Sequence, residues 1–242
     1  GLYYEKAAYE GNSLAKYKLG RFYDLGYGCN ENYSKAFHWY QEAAKDGLEV
    51  AITAMATCYE FGRGIEKDSQ KALEYYLKAA NMGYMNAQFC LGYFYEMHSE
   101  IENSLNESFY WYLKASKQGD SQAMLAVAYY YGHGLGTTKN EEKAFEFYQK
   151  ALQFGEKEAY YHLGICYLEG KGVKQDKGKA IALLALVEDQ YNLAAYLIGQ
   201  YFKEMHDTHE AIHHFKIAIQ KEDEEQSLYQ LALYGEQGIE IS

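Results

Sequence analysis

Residues that recur every 36 positions constrain this chain more than any other feature of its sequence. The sets with this spacing are a tyrosine (Tyr23, Tyr59, Tyr95, Tyr131, Tyr167), a glycine (Gly11, Gly47, Gly83, Gly119, Gly155) and an alanine (Ala15, Ala51, Ala87, Ala123, Ala159). Units of this length cannot bury an apolar face alone and do so by stacking on their neighbours. The sequence therefore predicts a solenoid.

Each unit is predicted to contain two helices, which we call helix A and helix B. In the first full unit, apolar residues at helical spacing place helix A over 13–25 and helix B over 33–45. Gly26 and Gly28 follow helix A and Gly47 follows helix B, where glycine adopts positive φ at little cost. Position 32 and its equivalents are good N-cap residues, which supports the assignment independently: Asn32, Asp68, Ser104, Asn140 and Asp176.

The repeat phase divides the chain along its whole length into one solenoid. The predicted segments are a truncated helix B (1–11), five full repeats (12–47, 48–83, 84–119, 120–155, 156–191), a short repeat (192–222) and a C-terminal capping helix (223–242). Tyr4 and Gly11 are in phase with Tyr40 and Gly47, so the chain begins inside a helix B. We expect a fragment of a longer protein, whose native N-terminus and any signal sequence are missing.

Composition excludes several classes of protein. With 48% hydrophobic residues the chain can fill a core, and its net charge of −11 disfavours nucleic acid as a partner. No stretch is long and apolar enough to insert in a membrane. The four cysteines form no CxxC pair and are too scattered for a disulfide scaffold. Free thiols suit a reducing compartment such as the cytoplasm, but without the native N-terminus the localisation stays open.

The repeat resembles a known family. The residues that carry the resemblance in the first full unit are Ala15, Leu19, Gly20, Tyr23, Gly26 and Gly28, then Lys35, Ala36, Trp39, Tyr40, Ala43, Ala44 and Gly47. This pattern is similar to the Sel-one-like repeat (SLR) family, relatives of the tetratricopeptide repeats. The resemblance implies an all-α, right-handed α/α superhelix of helix–turn–helix repeats. It also implies a protein-binding scaffold or adaptor with no catalysis of its own and no cofactor.

Two repeats depart from the family pattern. His98 and Glu100 replace the loop glycines of the third repeat, so that loop is predicted to follow a different path. Leu183 and Leu184 replace the aromatic pair of the fifth repeat. Cysteine-rich bacterial members of the family join helix A to helix B by a disulfide in each repeat, a pairing that this chain lacks.

One segment has the form of a zinc-protease motif. His209-Glu210-Ala211-Ile212-His213 is an HExxH sequence, which on a helix presents two imidazoles one turn apart. The repeat gives a different interpretation: Asp207 is an N-cap, Glu210 belongs to its capping box, and both histidines lie opposite the core face of helix B. We therefore predict no catalytic residue and no metal site, and keep a zinc-dependent hydrolase as the alternative from another functional class.

The helix A face opposite the core is the predicted binding site. In related solenoids helix A lines the concave side, and positions 17 and 21 with their equivalents form an unusually aromatic stripe there. The predicted partner-binding residues are Tyr17, Phe89, Tyr93, Tyr129, His133, Tyr161 and Tyr196. Flanking Glu60, Glu96 and Glu169 would favour a protein or peptide ligand that is basic.

Two alternatives remain for this face. Tight curvature of the superhelix would bury the aromatic side chains against each other, in which case they are structural. Or the scaffold is an inhibitor or immunity protein that blocks a partner enzyme. The sequence does not choose between a scaffold and an inhibitor.

Overall fold

A computed structural model describes residues 2–27, 30–219 and 225–236 of the chain, so Gly28 lies outside the described residues. Within these ranges the chain forms helices and no strands, which confirms the predicted all-α class. The helices are α1 (Leu2–Tyr9), α2 (Ser13–Leu25), α3 (Tyr33–Lys45), α4 (Glu49–Phe61), α5 (Ser69–Asn81), α6 (Met85–Met97), α7 (Ser104–Lys117), α8 (Ser121–His133), α9 (Glu141–Gln153), α10 (Ala159–Glu169), α11 (Lys177–Leu184), α12 (Asn192–Glu204), α13 (Thr208–Ile219) and α14 (Glu225–Glu236).

The chain divides into two compact units. The first comprises residues 1–123 and 135–137, and the second comprises 124–134 and 138–242. In the first unit α2 packs on α3, α4 on α5 and α6 on α7, and each pair also packs on its neighbour. In the second unit α10 packs on α11 and α12 on α13, with α14 against α13. Helices α2 and α3 coincide with the helix A and helix B that the sequence predicts.

The predicted caps of helix B are present in four of the five full repeats. Asn32 accepts the backbone N–H of Lys35 at 3.0 Å, and Asp68, Asn140 and Asp176 accept the equivalent N–H. The cap predicted at Ser104 is wrong, because Ser104 is the first residue of α7 and Asn103 precedes it with a φ of 59°. The third loop follows a different path, as predicted, because α6 ends at Met97 and is followed by His98 rather than by a left-handed glycine.

The repeated tyrosine of helix A packs at the start of helix B. Tyr59 and Tyr95 are buried, and Tyr131 is half-buried. The carbonyl of Tyr59 accepts the backbone N–H of the N-cap Asp68 at 2.9 Å, and the Lys71 ammonium lies 5.3 Å from the Tyr59 ring centroid. The same backbone bond and lysine–tyrosine contact recur at Tyr23, Tyr131 and Tyr167. One tyrosine therefore fixes both the loop and the following helix.

The second loop glycine of a repeat lies against the preceding helix B. Gly64 has a φ of +74°, and a Cβ atom added there would lie 2.1 Å from the carbonyl oxygen of Tyr33. Gly172 meets the carbonyl of Glu141 at the same distance. Only glycine fits this approach, which sets the spacing between successive repeats within a unit.

Candidate functional site

In three successive repeats, the same kind of hydrogen bond joins helix A to helix B of the repeat. A tyrosine of helix B donates its hydroxyl to an acid 16 residues earlier, near the end of helix A. The pairs and their O···O distances are Tyr40 to Asp24 (3.2 Å), Tyr76 to Glu60 (2.7 Å) and Tyr112 to Glu96 (2.6 Å). We call this contact the tyrosine–acid pair. It joins helix A to helix B in each of these three repeats.

The fourth repeat lacks the acid, and a cavity lies beside its tyrosine. Gly132 stands where Asp24, Glu60 and Glu96 stand in the earlier repeats, and the hydroxyl of Tyr148 has no hydrogen-bond acceptor among the described residues. Tyr148 and Gly132 line a cavity of about 440 Å³ in the second unit, which we call the aromatic cavity. Its volume is typical of a ligand pocket.

Three of the predicted partner-binding residues meet at the aromatic cavity. Tyr129, His133 and Tyr161 all line it, and Tyr129 is 42% exposed. The ring centroids of Tyr129 and His133 are 4.1 Å apart, and Tyr161 stacks on Tyr191 at 4.8 Å. These contacts hold the rings in place, so the cavity presents ordered aromatic surfaces.

Other lining residues were not found from the sequence. Leu193 and Leu197 of α12 and Ile165 of α10 supply an apolar wall. His162 stacks on Tyr148 with the rings 4.6 Å apart and nearly parallel. Burial lowers the pKa of His162, with Glu158 opposing that effect. The two leucines come from the next repeat along the chain, so only the stacking of that repeat on its neighbour brings them to this cavity.

The charges around the aromatic cavity are balanced. Lys139 pairs with Glu141 at 2.7 Å, and Lys171 pairs with Glu169. Because each lysine of the lining has a carboxylate partner, this cavity has no marked preference for one sign of charge. The predicted attraction of a basic ligand by Glu169 is weakened for that reason.

The remaining site residue of the second unit lies elsewhere. Tyr196 is half-buried, its ring centroid is 5.8 Å from that of Phe215, and its hydroxyl accepts the side-chain amide of Gln200 at 2.8 Å. It is not among the residues that line the aromatic cavity. Tyr196 therefore has packing contacts that account for its position.

In the first unit the predicted residues are dispersed. Tyr17 is half-buried and lines a second cavity, of about 280 Å³. Phe89 is half-buried with its ring centroid 5.5 Å from that of Tyr112, as expected if curvature buries part of the stripe. Tyr93 is 44% exposed, and neither Phe89 nor Tyr93 lines that cavity.

The acids expected to attract a basic ligand are engaged within the protein. Glu60 is 8% exposed and accepts the hydroxyl of Tyr76, so the expectation that it flanks a ligand is wrong. Glu96 is exposed, and its carboxylate accepts the hydroxyl of Tyr112. The sequence alone did not reveal these bonds, because acid and tyrosine lie on different helices.

The two histidines of the HExxH segment lie on the exposed side of α13. The side chain of His209 is 91% exposed and His213 is exposed, which confirms that both imidazoles face solvent. Asp207 accepts the backbone N–H of Glu210 at 3.2 Å, as a capping residue does. His214 points inward and pairs with Glu188 at 2.7 Å. In the described part of the chain, no group of three or more His, Cys, Asp or Glu side chains is arranged to hold a metal ion.

None of the helices within 2–27, 30–219 and 225–236 has the length and apolar character needed to cross a bilayer.

Comparisons with known proteins agree with the repeat analysis. The Sel1 repeat family model matches residues 2–12, 13–48, 50–84, 86–120, 121–153, 157–186 and 187–223. No curated protein sequence matches the chain.

Two solved structures share the fold. A protective antigen of uropathogenic Escherichia coli with an SLR fold is 25% identical, with a TM-score of 0.88 over 99% of this chain and 53% of its own. This chain therefore spans about half the length of that relative. A Sel1 repeat protein from Oxalobacter formigenes is 27% identical, with a TM-score of 0.74 over 86% of this chain and 87% of its own. With seven repeats matched along the sequence and a shared solenoid fold, the chain belongs to the Sel1 repeat family.

Proposed function

We propose that this chain is a protein-interaction module that binds a partner protein or peptide on its helix A side. The observation that carries the proposal is the aromatic cavity, in which Tyr129, His133 and Tyr161 are held around an opening of about 440 Å³. Sel1 repeat solenoids generally act in protein–protein interaction, so a partner protein is the natural class of ligand.

The cavity has the composition of a binding hot spot. Tyrosine offers a large, rigid contact area and loses little rotamer entropy on binding. The apolar wall of Leu193 and Leu197 would receive one or two bulky side chains of a partner. The hydroxyl of Tyr148 would find in that partner the acceptor that Gly132 does not provide. Neither a cofactor nor a catalytic group is needed for this role.

The test compares two double variants of the second unit. Peptides selected from a random display library would be measured by fluorescence polarisation against the parent, Tyr129→Ala/Tyr161→Ala and a control, Phe154→Ala/Tyr229→Ala. The control residues are exposed, at 58% and 62%, and lie outside the cavity. Circular dichroism checks that each variant is folded.

We expect the cavity variant to weaken binding by at least about 2 kcal/mol, roughly thirtyfold, and the control to leave it unchanged. Equal affinities for parent and cavity variant would refute the assignment of the site. An inhibitor that blocks a partner enzyme would use the same surface, and that alternative stays a prediction.

A further inference from the structure

The chain contains only two arginines, and both line one cavity of the first unit. Arg21 lies in the last turns of α2, and Arg63 lies in the loop after α4, 42 positions later. They meet at the cavity of about 280 Å³ that also contains Tyr17, which we call the arginine cavity. Its other polar lining includes Asp24, Thr53, Thr57 and Asn86. The repeat pattern does not account for the two arginines, because no other repeat has arginine at either position.

The charge in the arginine cavity opposes the charge of the protein. Arg21, Arg63 and Asp24 are its charged lining residues, so the cavity carries +1 in a chain of net charge −11. Among the described residues, neither guanidinium has a carboxylate within ion-pairing distance, 4.0 Å. The lysines of the aromatic cavity, in contrast, are both paired with glutamates.

The arginines are not placed to neutralise Asp24. Oδ2 of Asp24 accepts the hydroxyl of Tyr40 at 3.2 Å, and Oδ1 is buried with no hydrogen-bond partner in the described part of the chain. An arginine positioned for Asp24 would donate to that free oxygen. Neither guanidinium donates a hydrogen bond to Oδ1 of Asp24. The N–H groups of the two arginines therefore remain available to another acceptor.

Two aromatic rings limit the freedom of Arg63. The guanidinium of Arg63 lies 6.0 Å from the ring centroid of Tyr33 and 5.8 Å from that of Phe61. The positive charge of Arg21, one helical turn after Tyr17, counteracts the rise in the pKa of Tyr17 that burial causes. Such contacts reduce the entropy that an arginine loses when it binds a ligand.

We infer that the arginine cavity binds a carboxylate of a partner peptide. The planar guanidinium matches a carboxylate with two parallel N–H···O bonds, and two of them together select for this group. The exposed side-chain amide of Asn86 would satisfy a neighbouring peptide group of the ligand. The inference rests on the proposed interaction function and specifies the partner at the first unit: the partner is acidic there.

The small number of arginines gives a direct readout. In the full chain labelled with [15N]arginine, the Nε–Hε region of an NMR spectrum contains two signals, and both report on this cavity. Three capped dipeptides serve as probes: Ac-Tyr-Glu-NH2 carries a side-chain carboxylate, Ac-Tyr-Gln-OH a terminal one, and Ac-Tyr-Gln-NH2 none. We expect saturable shifts of both signals with at least one carboxylate probe, and binding at least tenfold weaker for the neutral probe. The better of the two carboxylate probes identifies the source of the group.

Variants assign the effect to the cavity. Arg21→Gln should weaken binding by about tenfold, as followed on the Arg63 signal, and Arg63→Gln should do the same on the Arg21 signal. Asp24→Asn preserves the acceptor for Tyr40 and should strengthen binding, because it removes the competing negative charge. Lys45→Gln/Lys78→Gln removes two positive charges from exposed positions outside the cavity and should leave the affinity unchanged.

Equal shifts with the neutral and carboxylate probes would overturn the inference, as would arginine variants that bind like the parent. The outcome is independent of the aromatic cavity, because Tyr129→Ala/Tyr161→Ala leaves both arginines in place. If peptides bind at the aromatic cavity while the arginine signals ignore carboxylates, this inference fails and the proposed function stands. If neither cavity responds to its ligand, both fail.

Discussion

Removal of the Tyr76 hydroxyl tests whether the tyrosine–acid pair stabilises the repeat. Tyr76 is 2% exposed, its hydroxyl donates to Glu60 at 2.7 Å, and Thr57 Oγ1 lies 3.1 Å from the same oxygen. Tyr76→Phe leaves the buried carboxylate of Glu60 without this donor. A hydrogen bond to a charged group contributes about 1.5–3 kcal/mol, so we expect a loss of that size in the free energy of unfolding.

The fourth repeat supplies the matched control. Tyr148→Phe removes the equivalent hydroxyl where Gly132 replaces the acid and no acceptor is present among the described residues. It should change stability by less than about 0.5 kcal/mol. Tyr112→Phe should fall between the two, because water can reach the exposed carboxylate of Glu96 once the hydroxyl is gone.

Urea unfolding followed by circular dichroism measures the difference. With a slope of about 2 kcal/mol per M, Tyr76→Phe should lower the midpoint by about 1 M. Because repeats unfold partly as local units, hydrogen exchange of α4 and α5 should show the loss where it occurs. Equal shifts for Tyr76→Phe and Tyr148→Phe would refute the reasoning, since the acid would then contribute nothing.

Three further changes test the scaffold. Tyr95→Ala truncates a buried aromatic residue and should cost about 3–5 kcal/mol in urea unfolding; a variant that melts like the parent would contradict the assigned repeat phase. Gly64→Ala brings a Cβ to 2.1 Å from a carbonyl oxygen, whereas Gly83→Ala meets nothing within 4 Å, so thermal melting should show about 1–3 kcal/mol more destabilisation for Gly64→Ala. Burial raises the pKa of Tyr40 and Tyr76 above the ordinary 10.0, so the folded chain holds these protons more tightly than the unfolded chain. Their contribution is present below pH 10 and is lost above it at about 1.4 kcal/mol per group and pH unit, which urea midpoints at pH 8 and pH 11 would detect.

Most of the fold could be predicted from the sequence because the same helix, cap and turn signals recur in successive repeats. Helix bounds of 13–25 and 33–45 follow from apolar spacing and from caps that recur every 36 residues. The failure at Ser104 has a local cause. With His98 and Glu100 in place of glycines, the third loop cannot turn in the same way, so α7 starts after Asn103 in the left-handed region.

The candidate site could be predicted only in part. The phase placed Tyr129, His133 and Tyr161 on one helix face, and they do line one cavity. The cavity lies where Gly132 replaces the acid of the tyrosine–acid pair, a contact between helices that periodicity does not show. Leu193 and Leu197 enter it from the next repeat, and their arrival depends on how that repeat stacks.

The two cavities differ at positions where the residue type changes from repeat to repeat. The scaffold is formed by positions where the same residue type recurs. Arg21 and Tyr129 occupy the same repeat position, three repeats apart. Arg21 supplies a guanidinium to its cavity, whereas Tyr129 supplies an aromatic ring. The helices that carry them have the same length of 13 residues, so the backbone presents both side chains in the same way. A solenoid can therefore change the chemistry of one surface position without disturbing its fold, because the packed alanines and the helix A tyrosine recur in the five full repeats. Substitution of the side chain at this position should alter ligand preference and leave the free energy of unfolding nearly unchanged.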